Sequence, residues 1–169
     1  MAQDPREGKK TAAVKSALAW AGVVAVVIFG GILFWAGSNR SPQPLLDPEN
    51  AELLARGGAL YAAHCATCHG DNLEGQPDWQ KRLASGRLPA PPHDETGHTW
   101  HHPDAVLFAL TKYGLAAVIA EDYDSDMPAY EGVLSDEEII AVLSYIKSRW
   151  PADVQAKHDN INAQYQRAR

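Results

Sequence analysis

Apolar and polar positions divide this chain into two unequal parts. Ala17 to Ala36 is a run of 20 residues without a charge, and a helix of that length spans about 30 Å of hydrocarbon. Beyond residue 48 the apolar residues recur every three or four positions, as they do on one face of a helix. No segment shows the alternation that is typical of a strand. The pattern predicts one N-terminal transmembrane helix followed by an all-α domain.

Three helices are predicted in this second part from their start and stop signals. The first is expected to begin at Asp47 and Pro48 and to run up to the two cysteines. The second covers residues 103–114, between a proline and a glycine. The third begins with the capping-box pattern Ser135 and Glu138 and ends before a proline at 151. Between the first two lies a long irregular segment, which in a compact domain indicates an enclosed ligand.

The resulting division of the chain has five segments. Four basic and two acidic residues precede the apolar run, which predicts that the N-terminus stays in the cytoplasm. A cleaved signal peptide is the alternative interpretation of the run, and either would place the rest outside a membrane, which in a bacterium means the periplasm. The segments are a cytoplasmic N-terminus (1–16), a transmembrane helix (17–37), a proline-rich linker (38–48), the main domain (49–151) and a polar tail (152–169), which we expect to be a loosely attached helix.

The charge of the exported part limits the partners it can have. The chain has a net charge of −6, and the residues after the apolar run carry 11 basic and 19 acidic groups. Nucleic-acid binding requires a basic face, so this class of function is excluded. We expect a partner that is positively charged at the contact or that docks through apolar surface.

The strongest candidate for chemistry is the motif Cys65-x-x-Cys68-His69, which contains the chain's only two cysteines. Its spacing is typical of covalent haem attachment, in which two thiols hold the porphyrin edge and the imidazole reaches the iron. A zinc ribbon needs a second pair of cysteines. A redox dithiol calls for a preceding strand, and a structural disulfide, permitted outside the cell, would leave His69 unexplained. Haem attachment is therefore favoured, with the dithiol and the disulfide left as alternatives.

A second iron ligand is offered by Met127, the only methionine besides Met1. It lies in an acidic loop, directly before a proline that restricts the backbone. A lone methionine is commonly a core filler, but a thioether ligand explains its position in such a loop better. Paired His and Met ligands raise the potential of haem iron and suit electron transfer.

From 51 to about 151 the chain resembles the class I cytochromes c, which carry electrons on a single haem. The resemblance is carried by these residues and by the segments "GGALY", "CATCHG", "TKYG", "MPAYEG" and "LSDEEIIAVLSYI". The resemblance implies three core helices around one haem c, held by Cys65 and Cys68 and ligated by His69 and Met127. It implies that the first and last of these helices cross closely, with Gly57 and Tyr61 facing Tyr145. It also implies a hydrogen bond from His69 to a backbone carbonyl in the following loop; the candidates are Pro77, Pro89, Pro91 and Pro92.

Further residues are predicted to surround the haem. Arg87 and Lys112 are expected beside the propionates. A cluster of four histidines in the irregular segment is a candidate for a second metal, copper or zinc, and its alternative is a surface or propionate-binding role. The aromatic residues expected to pack near the haem are Tyr61, Trp100, Tyr113 and Tyr145, and the histidines are His93, His98, His101 and His102.

The function expected from the sequence is that of a membrane-anchored monohaem c-type cytochrome of the bacterial inner membrane, an electron carrier and not an enzyme. Its expected partners are membrane redox complexes, such as a quinol-oxidising complex or a terminal oxidase, or a soluble redox protein. Two alternatives remain open: a haem enzyme or sensor with an open iron site, and a copper-binding redox protein that uses the histidine cluster.

Overall fold

A computed structural model describes residues 45–169 of the chain. This part contains α-helices and one short 3-10 helix but no strand, so the predicted all-α fold is confirmed for it. The helices are α1 (Ala51–His64), α2 (Ala66–His69), the 3-10 helix (Thr99–His101), α3 (Asp104–Tyr113), α4 (Leu115–Val118), α5 (Asp136–Ser148) and α6 (Ala152–Arg167).

The predicted transmembrane helix, residues 17–37, and most of the predicted linker lie outside the described residues. None of the helices between residues 45 and 169 has both the length and the apolar character that crossing a bilayer requires.

Helix α1 begins three residues later than predicted. Asn50 is its N-cap, with the side-chain oxygen accepting a hydrogen bond from the Leu53 N–H at 3.1 Å. Instead, the Asp47 carboxylate accepts a hydrogen bond from the Glu49 N–H, and the Asp47 N–H donates to the Ser144 hydroxyl. The carboxylate that was expected to cap the helix is thus used to fix the chain just before it.

Helices α1 and α5 make the most extensive contact between helices in this part of the chain. A Cβ added at Gly57 would lie 2.0 Å from the Ala141 carbonyl oxygen, so only glycine permits the crossing. The rings of Tyr61 and Tyr145 pack against each other with centroids 5.6 Å apart. The predicted crossing of the first and last core helices is confirmed.

Helix α5 supplies four of the core residues, more than any other helix that the structure describes, because its apolar residues recur on one face. Its N-terminus carries the predicted capping box, in which Ser135 and Glu138 each accept a hydrogen bond from the other's backbone. Helix α3 packs against it and ends at Gly114, whose φ of +84° favours glycine. The buried core consists of Leu46, Tyr61, Ala66, Leu73, Leu107, Tyr130, Leu134, Ile139, Val142, Leu143, Ile146, Trp150 and Val154.

Helix α6 is attached more firmly than the sequence predicted. Val154, His158 and Asn162 are all buried, although two of them are polar. Asn162 donates to the Asp104 carboxylate at 2.9 Å and accepts from the Asp104 N–H at 2.8 Å. The same carboxylate accepts the N–H groups of Leu45 and Leu46. Residues before α1 are therefore joined to α3 and α6 through one buried side chain.

Candidate functional site

The Cys-x-x-Cys-His motif forms a tight turn at the end of α1. Cys65 is the C-cap of α1, and its carbonyl oxygen accepts hydrogen bonds from the N–H groups of Cys68 and His69, at 3.1 and 2.9 Å. The two thiols are thus one helical turn apart. The turn stops at Gly70, whose φ is +82° and whose carbonyl accepts the Tyr61 hydroxyl at 2.8 Å. Burial raises the pKa of this hydroxyl well above its usual value, which keeps it a donor.

The His69 ring is buried, with 7 % of the residue exposed, and it is held in one orientation. Its Nδ1 lies 2.9 Å from the Pro91 carbonyl oxygen. Since a carbonyl can only accept, Nδ1 carries the proton and Nε2 keeps a lone pair. Burial lowers the pKa of this imidazole, so the neutral form is favoured. No hydrogen bond to Nε2 is formed by the residues that the structure describes, which leaves this nitrogen free to bind a metal.

Pro91 is one of the four prolines whose carbonyl was considered as the acceptor from the sequence, and its loop lies close to the motif because Gly75 has no side chain. A Cβ on Gly75 would be 2.4 Å from the Pro92 nitrogen, and its φ of +68° favours glycine. Gln76 binds Ala90 through both backbone and side chain. These contacts hold the loop where the Pro91 carbonyl meets His69.

The Cys65 thiol is set in a surrounding unlike that of a reactive dithiol. It packs against the core beside the Tyr130 hydroxyl, and burial raises the pKa of the thiol to about 11. Redox-active Cys-x-x-Cys pairs have lowered thiol pKa values, because the thiolate is the reacting form. The two cysteines are not joined by a disulfide, and Cys68 is exposed. This geometry argues against both alternatives that the sequence left open.

The segment that carries Met127 docks onto the motif through Tyr130. The Tyr130 hydroxyl donates to the His64 carbonyl at 2.7 Å, one residue before Cys65. Burial raises the pKa of this hydroxyl to about 12, so it remains a donor. The backbone of Tyr130 also bonds Thr111 at the end of α3. Met127 itself is half-buried, and its N–H donates to Ser125. The two segments with candidate iron ligands are thus adjacent in the fold.

Tyr130 was missed by the sequence analysis, as was the role of Gly75. An aromatic residue three positions after Met127 in a polar loop was the available signal for Tyr130. No signal distinguished Gly75 from other loop glycines.

The other aromatic candidates have different environments. Tyr145 packs on Tyr61, next to the motif. Trp100 is half-buried against the core and stacks on His101, with ring centroids 3.6 Å apart. Tyr113 is 45 % exposed. Of the two cations expected at the propionates, Lys112 pairs with Asp136, and Arg87 pairs with the acidic residues before Met127.

The four histidines are not gathered into one site. His93 stacks on the His69 ring, with centroids 3.9 Å apart, and its Nδ1 lies 2.8 Å from the Thr99 hydroxyl. His98 lies between Trp79 and His102, and His101 stacks on Trp100. Among residues 45–169 no three metal-ligating side chains come together. The predicted second metal site is not assembled in this structure, because the rings pair with aromatic neighbours.

The residues present fit a covalently bound haem. Two unpaired thiols one turn apart precede an imidazole whose Nδ1 is bonded and whose Nε2 is free. A second soft donor, Met127, stands on a segment fixed to the same turn. The fold and this donor set define the class of protein: a c-type haem protein that transfers electrons.

The comparison with protein families gives the same result. The family model described as Cytochrome c matches residues 54–150, and the chain belongs to this family. Neither the search of curated proteins nor the search of solved structures found a match. Members of this family are generally electron-transfer proteins rather than enzymes, in agreement with the expectation from the sequence.

Proposed function

We propose that this chain is a membrane-anchored carrier of single electrons with one haem c. The observation that carries the haem part of the proposal is the state of His69, whose Nδ1 is bound to Pro91 and whose Nε2 is free, directly after two thiols one turn apart. Such a hydrogen bond fixes the ring and raises the basicity of the ligating nitrogen.

In this proposal each residue of the site has a separate role. Cys65 and Cys68 hold the porphyrin through thioether bonds, and His69 and Met127 are the two iron ligands. When bound, haem c supplies an iron that gains and loses one electron. Tyr61 on α1 and Tyr130 on the Met127 segment flank the site. Their hydroxyls donate to backbone carbonyls that would otherwise bind water.

The anchor and the partners are proposed from the sequence. The uncharged run at 17–36 would hold the protein in the bacterial inner membrane with the haem domain in the periplasm. A short stiff linker of about 30 Å would favour partners in the same membrane, such as a quinol-oxidising complex or a terminal oxidase. A soluble redox protein that is basic at the contact is the alternative.

Haem attachment is tested on the full chain made in a bacterium that matures c-type cytochromes. We expect haem to stay with the polypeptide on a denaturing gel, and to be lost in the Cys65→Ser, Cys68→Ser double variant. His69→Ala should lose the six-coordinate spectrum, whereas the control His64→Ala, an exposed histidine beside the motif, should keep it. Release of all haem from the wild-type chain on the gel would contradict the proposal.

Met127 is tested by absorption spectroscopy of the oxidised protein. Sulfur ligation of ferric haem gives a weak band at the red end of the visible spectrum, and Met127→Ala should remove it. If the wild type lacks this band and binds added small ligands at once, the open-iron enzyme or sensor is the better assignment.

The anchor is tested by fractionating cells and washing the membranes at alkaline pH. We expect the full chain to stay in the membrane fraction. Recovery of the protein in the wash would refute the anchor without affecting the haem assignment.

A further inference from the structure

Arg87 lies between the loop that supports His69 and the segment that carries Met127. Its backbone is two residues before the loop 89–92, which contains the carbonyl that holds His69. Its guanidinium reaches Asp124 and Asp126, the acidic residues closest before Met127. One residue therefore contacts the Met127 segment with its side chain, while its main chain leads into the loop 89–92 that holds His69.

The contact involves two carboxylates. The Arg87 Nε lies 2.9 Å from Asp124 Oδ1, as an ion pair in which the N–H does not point at the carboxylate. A guanidinium nitrogen, Nη1, hydrogen-bonds Asp126. Asp124 first and Asp126 second raise the pKa of Arg87, because each negative charge stabilises the charged guanidinium. Because a guanidinium is planar and carries five donors, it can hold two acceptors where a lysine holds a point charge.

The main chain at Arg87 is itself fixed by a turn. The Arg87 carbonyl accepts the Leu83 N–H at 2.9 Å, and the Gly86 N–H donates to the Leu83 carbonyl at 2.9 Å. Arg82 closes the turn with a 2.6 Å hydrogen bond to the Gly86 carbonyl. The guanidinium thus extends from a loop whose backbone is fixed by hydrogen bonds. Its ion pairs therefore restrain the acidic segment instead of moving the Arg87 backbone.

We propose that Arg87 is a positioning residue that holds Met127 on the iron by tying its segment to the His69 side of the site. The inference rests on the proposed function, because it requires Met127 to be a ligand. The acidic residues flanking Met127 repel one another in the absence of a cation, and Arg87 neutralises two of them. Without it, the segment would leave the iron more often, and an added ligand would enter faster.

The test measures imidazole binding to the oxidised, haem-loaded full chain. Binding requires the sixth ligand to leave, so its rate reports the opening of the Met127 segment. We expect Arg87→Gln to raise this rate about three- to tenfold at low salt, as for the loss of exposed ion pairs, and to weaken the red absorption band. Arg87→Lys should restore part of the effect. The matched control is Lys81→Gln, which removes an exposed cation of the same segment that pairs with Asp78 and with neither acid.

Two further measurements make the assignment specific. Asp124→Asn with Asp126→Asn should reproduce the faster binding, and adding Arg87→Gln to this pair should change the rate little further. High salt should reduce the difference between wild type and Arg87→Gln, because the pairs are exposed. The acid variants also serve if Arg87→Gln fails to fold.

The outcomes separate this inference from the proposed function. A wild type without the red band refutes Met127 ligation itself. If the wild type has the band, but Arg87→Gln leaves the imidazole rate unchanged or Lys81→Gln changes it equally, the role of Arg87 is overturned and the ligand assignment stays intact.

Discussion

The close crossing of α1 and α5 makes Gly57→Ala the most informative change to the fold. The added methyl carbon would lie 2.0 Å from the Ala141 carbonyl oxygen and 2.6 Å from its carbonyl carbon. Both atoms belong to the backbone of α5, so no side-chain rotation can relieve the clash. The two helices would have to separate by more than 1 Å at the point where Tyr61 packs on Tyr145.

The magnitude follows from two opposing effects. Overpacking in a core costs typically about 1–3 kcal/mol, and a clash with backbone belongs at the upper end. Replacing glycine by alanine inside a helix returns about 1 kcal/mol of helix propensity. We therefore expect the free energy of unfolding to fall by about 2 kcal/mol.

Gly58→Ala is the matched control, because it makes the same chemical change one residue along the same helix. Its added carbon would lie 3.2 Å from Tyr145 Cε2, a side-chain atom that has to move by only a few tenths of an ångström. The propensity gain should then prevail, and we expect this variant to be as stable as the wild type or up to about 1 kcal/mol more stable.

Urea unfolding of the haem-loaded full chain, followed by far-UV circular dichroism, measures both variants. With a urea dependence of about 1–3 kcal/mol per M, Gly57→Ala should lower the midpoint by on the order of 1 M. Equal midpoints for Gly57→Ala and Gly58→Ala would refute the reasoning, because they would show that α5 can pack against α1 when residue 57 has a side chain.

Three further predictions concern polar contacts. Tyr130→Phe removes the hydroxyl bonded to the His64 carbonyl, so we expect the free energy of unfolding to fall by about 1 kcal/mol in the same urea titration. An unchanged free energy would show that this hydrogen bond does not stabilise the fold. Asn162→Leu deprives the buried Asp104 carboxylate of a donor and should cost about 1–3 kcal/mol and speed protease cleavage of α6, whereas the exposed Asn160→Leu should do neither. Burial lowers the pKa of His158 below 6.5, so at acid pH the unfolded chain binds more protons and stability falls as the pH drops below about 6.5. The variant His158→Gln should lose part of that slope in thermal melts, and equal slopes would show that His158 does not contribute.

The helices of the domain could be predicted because their signals are local. Ser135 and Glu138 mark the start of α5 within four residues, and Gly114 marks the end of α3. The motif at Cys65 to His69 is equally local, since its chemistry depends on spacing along one turn. Asp47 shows the limit of such signals: it has the side chain of an N-cap, but Ser144 on α5 binds its backbone and Asn50 takes the cap.

The packing of α6 could not be predicted because hydrophobic periodicity does not record it. Its buried positions Val154, His158 and Asn162 contain a single apolar residue. The two polar residues are buried because each has a hydrogen-bond partner, the buried Asp104 for Asn162 and the carbonyl of the half-buried His102 for His158. Those partners are more than 50 residues away in the chain, so the pattern of α6 alone indicates a solvated tail.

The arrangement of the four histidines could not be predicted for a related reason. Metal binding needs side chains that converge on one point, and the sequence shows only that the histidines are near one another along the chain. In the fold His93 stacks on His69, and His101 turns to Trp100. Proximity in sequence therefore predicted a cluster where the structure has separate aromatic pairs.

Both candidate iron ligands are positioned by segments without regular secondary structure. Hydrogen bonds to backbone carbonyls hold these segments in place. His69 is fixed by the carbonyl of Pro91, and the Met127 segment is fixed by Tyr130 on the carbonyl of His64. A ligand set is only as well placed as the groups that support it. Both supports are backbone carbonyls, which no substitution removes, so the vulnerable parts are the residues that bring the segments together: Gly75 by lacking a side chain, and Tyr130 and Arg87 through theirs. Variation at these three positions should change the opening of the site before it changes the fold.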